Sequence, residues 1–276
     1  MKRSCPAALK LFVSLAVFTL GTLANMSGQT EKILYTFTGG TDGGTPYAGL
    51  ISDSKGNLYG TTYGGGSSTC QCGTVFELSP GSNGTWSEKV LYAFTGYPSD
   101  GAGPLAAVIS DSKGNFYGTT TGGGAYGEGV VFELTPGANN TWAEKVLYSF
   151  GFGPADGLIP YGGVVQDSAG NLYGSTYYGG TYGVGTVFEL SLGSNGSWTE
   201  KVLYTFTGVN DGSAPLGRLI FDGAGNLYGT TTYAGPRDYG SVFDTDARVQ
   251  WQLGPEDNLR VHRSDRTKPL HRPGLR

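Results

Sequence analysis

Histidine is almost absent from this sequence. Only His262 and His271 occur among 276 residues, so residues 31–246 contain none. This excludes Ser-His-Asp and Cys-His catalytic sites from that region, together with metal sites built on histidine. Carboxylates are the remaining candidates for chemistry there.

Cysteine is also scarce, with three residues in the chain. Cys70 and Cys72 form an isolated Cys-x-Cys pair in a glycine-rich loop, and Cys5 lies far away in the N-terminal segment. A zinc site needs further cysteine or histidine ligands, and the sequence has none nearby. The pair is interpreted as two loop thiols or as one local disulfide.

Charged residues make up only 14% of the chain, and their sign changes along it. Residues 31–246 carry eight basic and nineteen acidic side chains, whereas residues 1–30 and 247–276 are basic. Nucleic acids and anionic lipids are bound by clusters of Lys and Arg. We therefore expect neither as a partner of the acidic region.

Long apolar runs are missing except for Leu11–Leu23, which follows a basic start. This run and the small residues of Thr22-Leu23-Ala24 are typical of a secretory signal peptide, with an uncleaved membrane anchor as the alternative. We predict a signal peptide over residues 1–24, cleaved after Ala24. The mature chain is then expected to be secreted, extracellular or periplasmic, monomeric and without a membrane span.

Glycine, by contrast, is abundant at 49 residues, and much of it lies in a repeated sequence. The block Gly-Asn-Leu-Tyr-Gly-Thr-Thr at 56–62 returns, with small changes, at 114–120, 170–176 and 225–231. Val-Phe-Glu recurs at 75–77, 131–133 and 187–189, with Val-Phe-Asp at 242–244. Glu-Lys-Val-Leu-Tyr recurs at 88–92, 144–148 and 200–204, after Glu-Lys-Ile-Leu-Tyr at 31–35. Three markers with one period of about 56 residues indicate four tandem copies of one unit.

Each unit contains four short runs of β-branched and aromatic residues separated by turns. In the first unit they predict strands A (Tyr47–Asp53), B (Asn57–Tyr63), C (Gly73–Ser79) and D (Trp86–Phe94). Four antiparallel strands per repeat are typical of a propeller blade, and stacked neighbours bury each other's apolar faces. We therefore predict an all-β, β-propeller-like tandem repeat of four four-stranded units. It is either a closed four-blade ring or a fragment of a larger propeller.

The two ends of the repeat region depart from the pattern. Glu31–Phe37 matches strand D with no strand A, B or C before it, and the fourth unit loses the pattern after its strand C at Gly240–Thr245. The N-terminal strand is therefore able to complete the fourth unit and close a four-blade ring. We assign the repeat domain to residues 25–246. The basic tail, residues 247–276, is expected to be poorly ordered, as a native extension or as a frameshifted or truncated end.

The repeated blocks resemble those of the GloVer tandem-repeat ("choice-of-anchor") family of bacterial secreted proteins, from Glu31 to about Asp244. The resemblance implies an exported bacterial protein with a propeller-like repeat fold. It implies no catalytic residues.

Repeated acids are the candidates for a metal site. Four aspartates each precede a glycine, nine residues before a β-branched residue of strand A: Asp42, Asp100, Asp156 and Asp211. If these acids converge at the mouth of a channel, they are able to hold Ca²⁺ or to face a sugar. A structural Asp-Gly turn, repeated because the fold repeats, is the favoured interpretation. Apart from this candidate Ca²⁺ site, no cofactor is expected.

Loop variation gives the candidate binding face. In an antiparallel unit the D–A and B–C loops emerge at one end, and the A–B and C–D loops at the other. The four A–B turns are nearly identical, whereas the D–A and B–C loops differ between units. Binding residues usually lie on variable loops of a rigid scaffold, although such loops also drift without function. The candidate ligand-binding residues are Tyr47, Tyr97, Tyr126, Phe152, Tyr161, Tyr182 and Arg237.

The sequence thus favours a secreted, non-catalytic scaffold that binds an extracellular glycan or protein through the D–A/B–C face. The alternative is a glycan-active hydrolase or lyase that uses carboxylates from several units around the propeller axis. The lack of histidine and the fourfold repetition of the acids favour binding, because a catalytic site breaks repeat symmetry. A truncated product without function is a third interpretation.

Overall fold

The computed structural model describes residues 31–235 and 237–245. The predicted signal peptide and basic tail lie outside the described residues. The chain divides into a short N-terminal segment, Met1–Ile33, and a compact body, Leu34–Arg276, which contains every strand described below. No helix within the described ranges is long and apolar enough to cross a membrane.

Units 1 and 2 each form a four-stranded antiparallel sheet. The strands of unit 1 pair in the order β1-β2-β3-β4: β1 (Ile51–Ser52), β2 (Leu58–Thr62), β3 (Thr74–Pro80) and β4 (Trp86–Ala93). Unit 2 contains β5 (Gly101–Ala102), β6 (Ile109–Ser110), β7 (Phe116–Thr120), β8 (Gly122–Gly123), β9 (Val130–Pro136) and β10 (Trp142–Ser149). Its main sheet has the order β6-β7-β9-β10, and β5 pairs with β8 beside it.

Units 3 and 4 continue the pattern. Unit 3 contains β11 (Gly157–Leu158), β12 (Val164–Gln166), β13 (Leu172–Thr176), β14 (Tyr178–Gly179), β15 (Thr186–Leu192) and β16 (Trp198–Thr205). Unit 4 contains β17 (Ser213–Pro215), β18 (Ile220–Phe221), β19 (Leu227–Tyr233) and β20 (Ser241–Asp244). The main sheet of unit 3 has the order β12-β13-β15-β16, and β19 of unit 4 pairs with β17, β18 and β20. Short 3-10 turns, Ser82–Gly84 and Ala138–Asn140, join strands C and D in units 1 and 2.

The prediction of an all-β tandem repeat is confirmed. Strands B, C and D of unit 1 lie within one or two residues of their predicted bounds. Strand A is the exception, because only Ile51 and Ser52 of the predicted Tyr47–Asp53 pair with strand B. Tyr47, Ala48 and Gly49, which precede Ile51, line a central cavity instead.

The apolar core lies between units rather than within them. The first of three buried clusters joins Val75 and Phe94 of unit 1 to Val108 and Phe132 of unit 2. The second joins units 2 and 3, and the third joins units 3 and 4. Each sheet therefore buries its faces against its neighbours, as expected for stacked repeats.

Packing of phenylalanines between units explains why the middle residue of Leu-Tyr-Gly-Thr-Thr is glycine. The last aromatic residue of each D segment packs edge-on against the strand-C phenylalanine of the next unit, and Phe94 and Phe132 have ring centroids 5.0 Å apart. Phe132 in turn lies over Gly118 of strand B, where an added β-carbon would be 2.6 Å from its ring. The Gly in Leu-Tyr-Gly-Thr-Thr is therefore required by the ring above it.

The A–B turns explain the Asp-x-x-Gly-Asn-x-Tyr pattern. Asp167 accepts hydrogen bonds from the backbone amides of Ala169 and Asn171, both at 2.9 Å. Its other oxygen accepts from the Asn171 side chain at 2.9 Å and from the Tyr173 hydroxyl at 3.0 Å. The same bonds form at Asp53, Asp111 and Asp222.

The predicted N-terminal strand is not formed. Residues 31–37 are in no strand, and within the described ranges β20 pairs only with β19. Phe37 nevertheless packs on Phe76 at a centroid distance of 4.9 Å, as its equivalents do in later units. The segment thus keeps the aromatic packing of a strand D although it forms no strand in the described part of the chain. Closure of the ring by this strand is not observed.

Candidate functional site

The four units surround a central cavity at the D–A/B–C face. Its mouth has a volume of about 500 Å³ and is lined by Tyr47, Tyr63, Leu105, Tyr161 and Leu216. Four of these residues occupy one equivalent position, directly after a proline that precedes strand A. Each unit therefore supplies one wall, in the order Tyr, Leu, Tyr, Leu.

The mouth continues into an inner cavity of about 370 Å³. The two cavities share Leu105, Tyr161 and Leu216 as wall residues. The inner cavity is otherwise lined by small or apolar residues of strand A and by one charged residue, Arg218. Among the described residues, no Asp or Glu lines either cavity.

Contacts between units fix the start of strand A in units 2, 3 and 4. In unit 3 the amide of Ile159 donates to the carbonyl of Glu128 in unit 2 at 2.9 Å. Pro160 then lies against Gly129, where a β-carbon would be 2.8 Å from the proline ring. Equivalent bonds join Gly103 to Cys72 and Ala214 to Val184. Because each unit holds the next at this point, the wall residue that follows the proline has a fixed position.

Tyrosines at the end of strand B support the two tyrosine walls. Tyr63 packs edge-on against Tyr47 at a centroid distance of 5.9 Å, and Tyr177 packs against Tyr161 at 5.0 Å. In units 2 and 4, where the wall is leucine, the position sixteen residues later is threonine. The aromatic pairs therefore alternate with smaller pairs around the cavity.

The structure does not bring the four candidate metal-binding aspartates together. Each accepts a hydrogen bond from the tyrosine of the preceding D segment: Tyr35–Asp42 and Tyr92–Asp100 at 3.0 Å, Tyr148–Asp156 at 3.0 Å and Tyr204–Asp211 at 2.8 Å. No group of three or more His, Cys, Asp or Glu residues in the described ranges is placed to hold a metal ion. Each aspartate is instead held by the tyrosine and by backbone amides of its own loop, which fits the structural turn favoured from the sequence. Calcium binding at these residues stays a prediction.

Glutamates of strand D carry the most perturbed acid groups. Burial, and then the negative charge of Asp100, raise the pKa of Glu144 to about 8. Burial and a neighbouring aspartate likewise raise the pKa of Glu88 and of Glu200 to about 7. A raised pKa beside a second carboxylate is a property of general acids. These pairs, however, recur in units 1, 2 and 3, and none of their residues lines either cavity.

The other predicted binding residues lie outside the cavity walls. Tyr126 and Phe152 contact each other on neighbouring loops at a centroid distance of 6.0 Å, and both are exposed. Tyr97, Tyr182 and Arg237 are exposed on separate loops. Among the seven candidates, the cavity unites only Tyr47 and Tyr161.

Sequence reasoning missed Tyr63, Leu105, Leu216 and Arg218. Superposing the four units was enough to find them, because Leu105 and Leu216 align with the predicted Tyr47 and Tyr161. Arg218 aligns with Gly49, Ala107 and Gly163, so it is the one charged residue at its repeat position. Cys70 and Cys72, left open above, form a local disulfide.

Stacked four-stranded sheets around a shared cavity define a β-propeller-like repeat protein. The chain belongs to the Gloeobacter/Verrucomicrobia repeat family, whose model matches residues 16–157 and again 144–252. This confirms membership of a tandem-repeat family of the kind inferred from the repeated blocks. No curated protein matched the sequence.

Several solved structures align with the chain at low identity. A gluconolactonase from Xanthomonas campestris is 16% identical, with a TM-score of 0.44 over 78% of this chain and 60% of that one. An extracellular domain from B. thetaiotaomicron is 16% identical, with a TM-score of 0.46 over 79% and 28%. An α-L-arabinanase from Cellvibrio cellulosa is 10% identical, with a TM-score of 0.39 over 77% and 75%. The chain thus spans three fifths or less of the first two, and likeness at this level carries no information about activity.

Proposed function

We propose that this chain is an exported binding protein that holds part of a saccharide in its central cavity, without catalysis. The observation that carries the proposal is the convergence of one wall residue from every unit on a single cavity at the variable face. Its volume of about 500 Å³ lies within the range of small-ligand sites.

The walls suit a sugar ring. Tyr47 and Tyr161 offer flat apolar faces for the C–H side of a pyranose and hydroxyls for its polar edge. Leu105 and Leu216 add apolar surface between them. A concave site of this size favours a saccharide over a protein partner, since protein interfaces are broad and bury about 800 Å² on each side.

The acids support binding rather than hydrolysis. Hydrolysis of a glycosidic bond uses two carboxylates on either side of it. The carboxylates with a raised pKa, Glu88, Glu144 and Glu200, each lie near an aspartate of the loop before strand A, and the described residues that line the two cavities include no carboxylate.

The proposal is tested with the secreted protein on a glycan array, followed by calorimetry with the best ligand. Tyr161→Ala is expected to weaken binding about tenfold or more, because it removes a wall that the ligand stacks on. Tyr182→Ala is the matched control: it also removes a tyrosine of the variable face, but one outside the cavity walls.

Three results would contradict the proposal. They are absence of binding to any glycan, binding that depends on Tyr182 and not on Tyr161, and shortened oligosaccharides after incubation, measured by mass spectrometry. The last result would favour the hydrolase or lyase.

A further inference from the structure

Arg218 departs from the repeat more sharply than any other residue of the cavity. Its equivalents are Gly49, Ala107 and Gly163, none of which has a side chain longer than a methyl group. The remaining described wall residues are apolar or small, with Tyr161 among them, so Arg218 is the only charged residue of the described ranges that lines the inner cavity. The other three units fold without a charged side chain at this position, so the stability of the repeat does not require Arg218.

The guanidinium of Arg218 is free to bind a ligand. Arg218 is exposed, and it makes no hydrogen bond or ion pair with another described residue. The cavity is also open at the equivalent position of unit 1, since no atom lies within 4 Å of the place that a β-carbon on Gly49 would occupy. A ligand that enters past Tyr47 and Tyr161 therefore meets an unpaired cation.

The rest of the repeat region makes this cation unusual. Residues 31–246 contain only two arginines, Arg218 and Arg237, and an excess of acidic residues. Lys55 and Lys113 lie in A–B turns, at the other end of the units, while Lys89, Lys145 and Lys201 lie in the D strands. Because the surrounding field is negative, attraction for an anion has to come from close contact with Arg218.

We propose that the central cavity takes an acidic saccharide, and that Arg218 binds the carboxylate of a uronate unit. This inference rests on the proposed function and specifies its ligand. A guanidinium donates two parallel hydrogen bonds to a planar carboxylate, and this geometry selects for it over a hydroxyl. The tyrosine side chains stack on the sugar ring, and Arg218 binds its carboxylate.

Calorimetry with three ligands tests the choice of anion. The probes are a trimer of galacturonate, the same trimer fully methyl-esterified, and a sulfated galactose trimer. We expect the free acid to bind more tightly than its ester, with an affinity that falls as salt is added. Tighter binding of the sulfated trimer than of the uronate would overturn the assignment to a carboxylate.

Variants of Arg218 and Arg237 test whether Arg218 is the residue that binds the carboxylate. Arg218→Gln is expected to weaken binding of the acid trimer by about tenfold to a hundredfold and to leave binding of the ester unchanged. Arg237→Gln, which removes the same charge from a loop outside both cavities, is expected to change neither. The side chain of Arg218 is exposed, so thermal denaturation should show both variants folded like the original chain.

The results separate the two proposals. If the acid and the ester bind equally well, and both depend on Tyr161 but not on Arg218, this inference fails and the saccharide-binding function stands. If neither trimer nor any other glycan binds, the function itself fails.

Discussion

The two ends of strand A use the repeat in opposite ways. At the A–B turn, all four units present the same aspartate, which accepts the same bonds from backbone amides, an asparagine and a tyrosine. At the other end, the equivalent positions are Tyr47, Leu105, Tyr161 and Leu216, and two residues further on are Gly49, Ala107, Gly163 and Arg218. Positions that hold the fold are therefore repeated, and positions that face the cavity vary.

The largest effect on stability is expected in the interfaces between units. Phe132 is fully buried and packs against both Phe94 and Gly118. Phe132→Ala should lower the free energy of unfolding by about 3–5 kcal/mol, because the cavity it leaves lies between two packed sheets. Phe152→Ala is the control: its ring is 77% exposed, and we expect little change. Denaturant unfolding measures both, and equal losses would contradict a core that lies between units.

A smaller loss is expected from the A–B turns. Asp167→Ala removes an acceptor of four hydrogen bonds and should cost about 1–3 kcal/mol of unfolding free energy. Asp222→Ala removes the same bonds from an exposed turn in unit 4, so its loss should be smaller. Neither variant should alter saccharide affinity. A change in affinity without a change in stability would show that this end of the units also takes part in binding.

The smallest effect is expected from pH. The pKa of Glu144 is about 8 in the folded chain, against an ordinary value of 4.5. Between these values the folded state binds more protons than the unfolded state, so stability falls as the pH rises from about 4.5 to about 8. Glu144→Gln, which stays uncharged beside Asp100, should weaken this fall.

Thermal unfolding at pH 5 and pH 8 measures the difference. Asp238→Asn removes one carboxylate from an exposed loop and controls for net charge. An identical dependence on pH in Glu144→Gln and in the original chain would contradict the assignment.

The strand order of each unit could be predicted from the sequence, because the residues of the repeated blocks make the same contacts in every unit. Gly118 marks the place where Phe132 lies, and Asp167 with Tyr173 marks a turn. Strand A was predicted too long, because the residues around Tyr47 have the composition of a strand but no partner strand to pair with. Glu31–Phe37 likewise has the composition of a strand, but the structure forms none there.

The cavity was predicted only in part. Tyr47 and Tyr161 stood out as aromatic residues of variable loops, and so did Tyr97, Tyr126, Phe152 and Tyr182, which lie elsewhere. Composition cannot distinguish these groups, because among these aromatic residues only the two that directly follow the proline before strand A line the cavity. Arg218 and Tyr63 become recognisable only when each is compared with the residues at the equivalent position of the other units.

Unit 4 differs from the others in its outer face. Val242 is 76% exposed, whereas its equivalents Val75, Val131 and Val187 are fully buried by a strand D and by the following unit. Beside Val242 lies an apolar hollow of about 250 Å³ lined by Tyr204, Phe206 and Phe243. In the described part of the chain nothing covers it.

The supply of one wall residue from each unit links gene architecture to ligand size. Duplication of a unit inserts a fifth wall and enlarges the circumference of the opening, whereas a point change at a wall alters its chemistry and leaves its diameter alone. If the cavity binds a saccharide as proposed, gain or loss of whole units changes the size of the ligand that fits. Substitutions at the position of Arg218 then change the charge of the ligand that is bound.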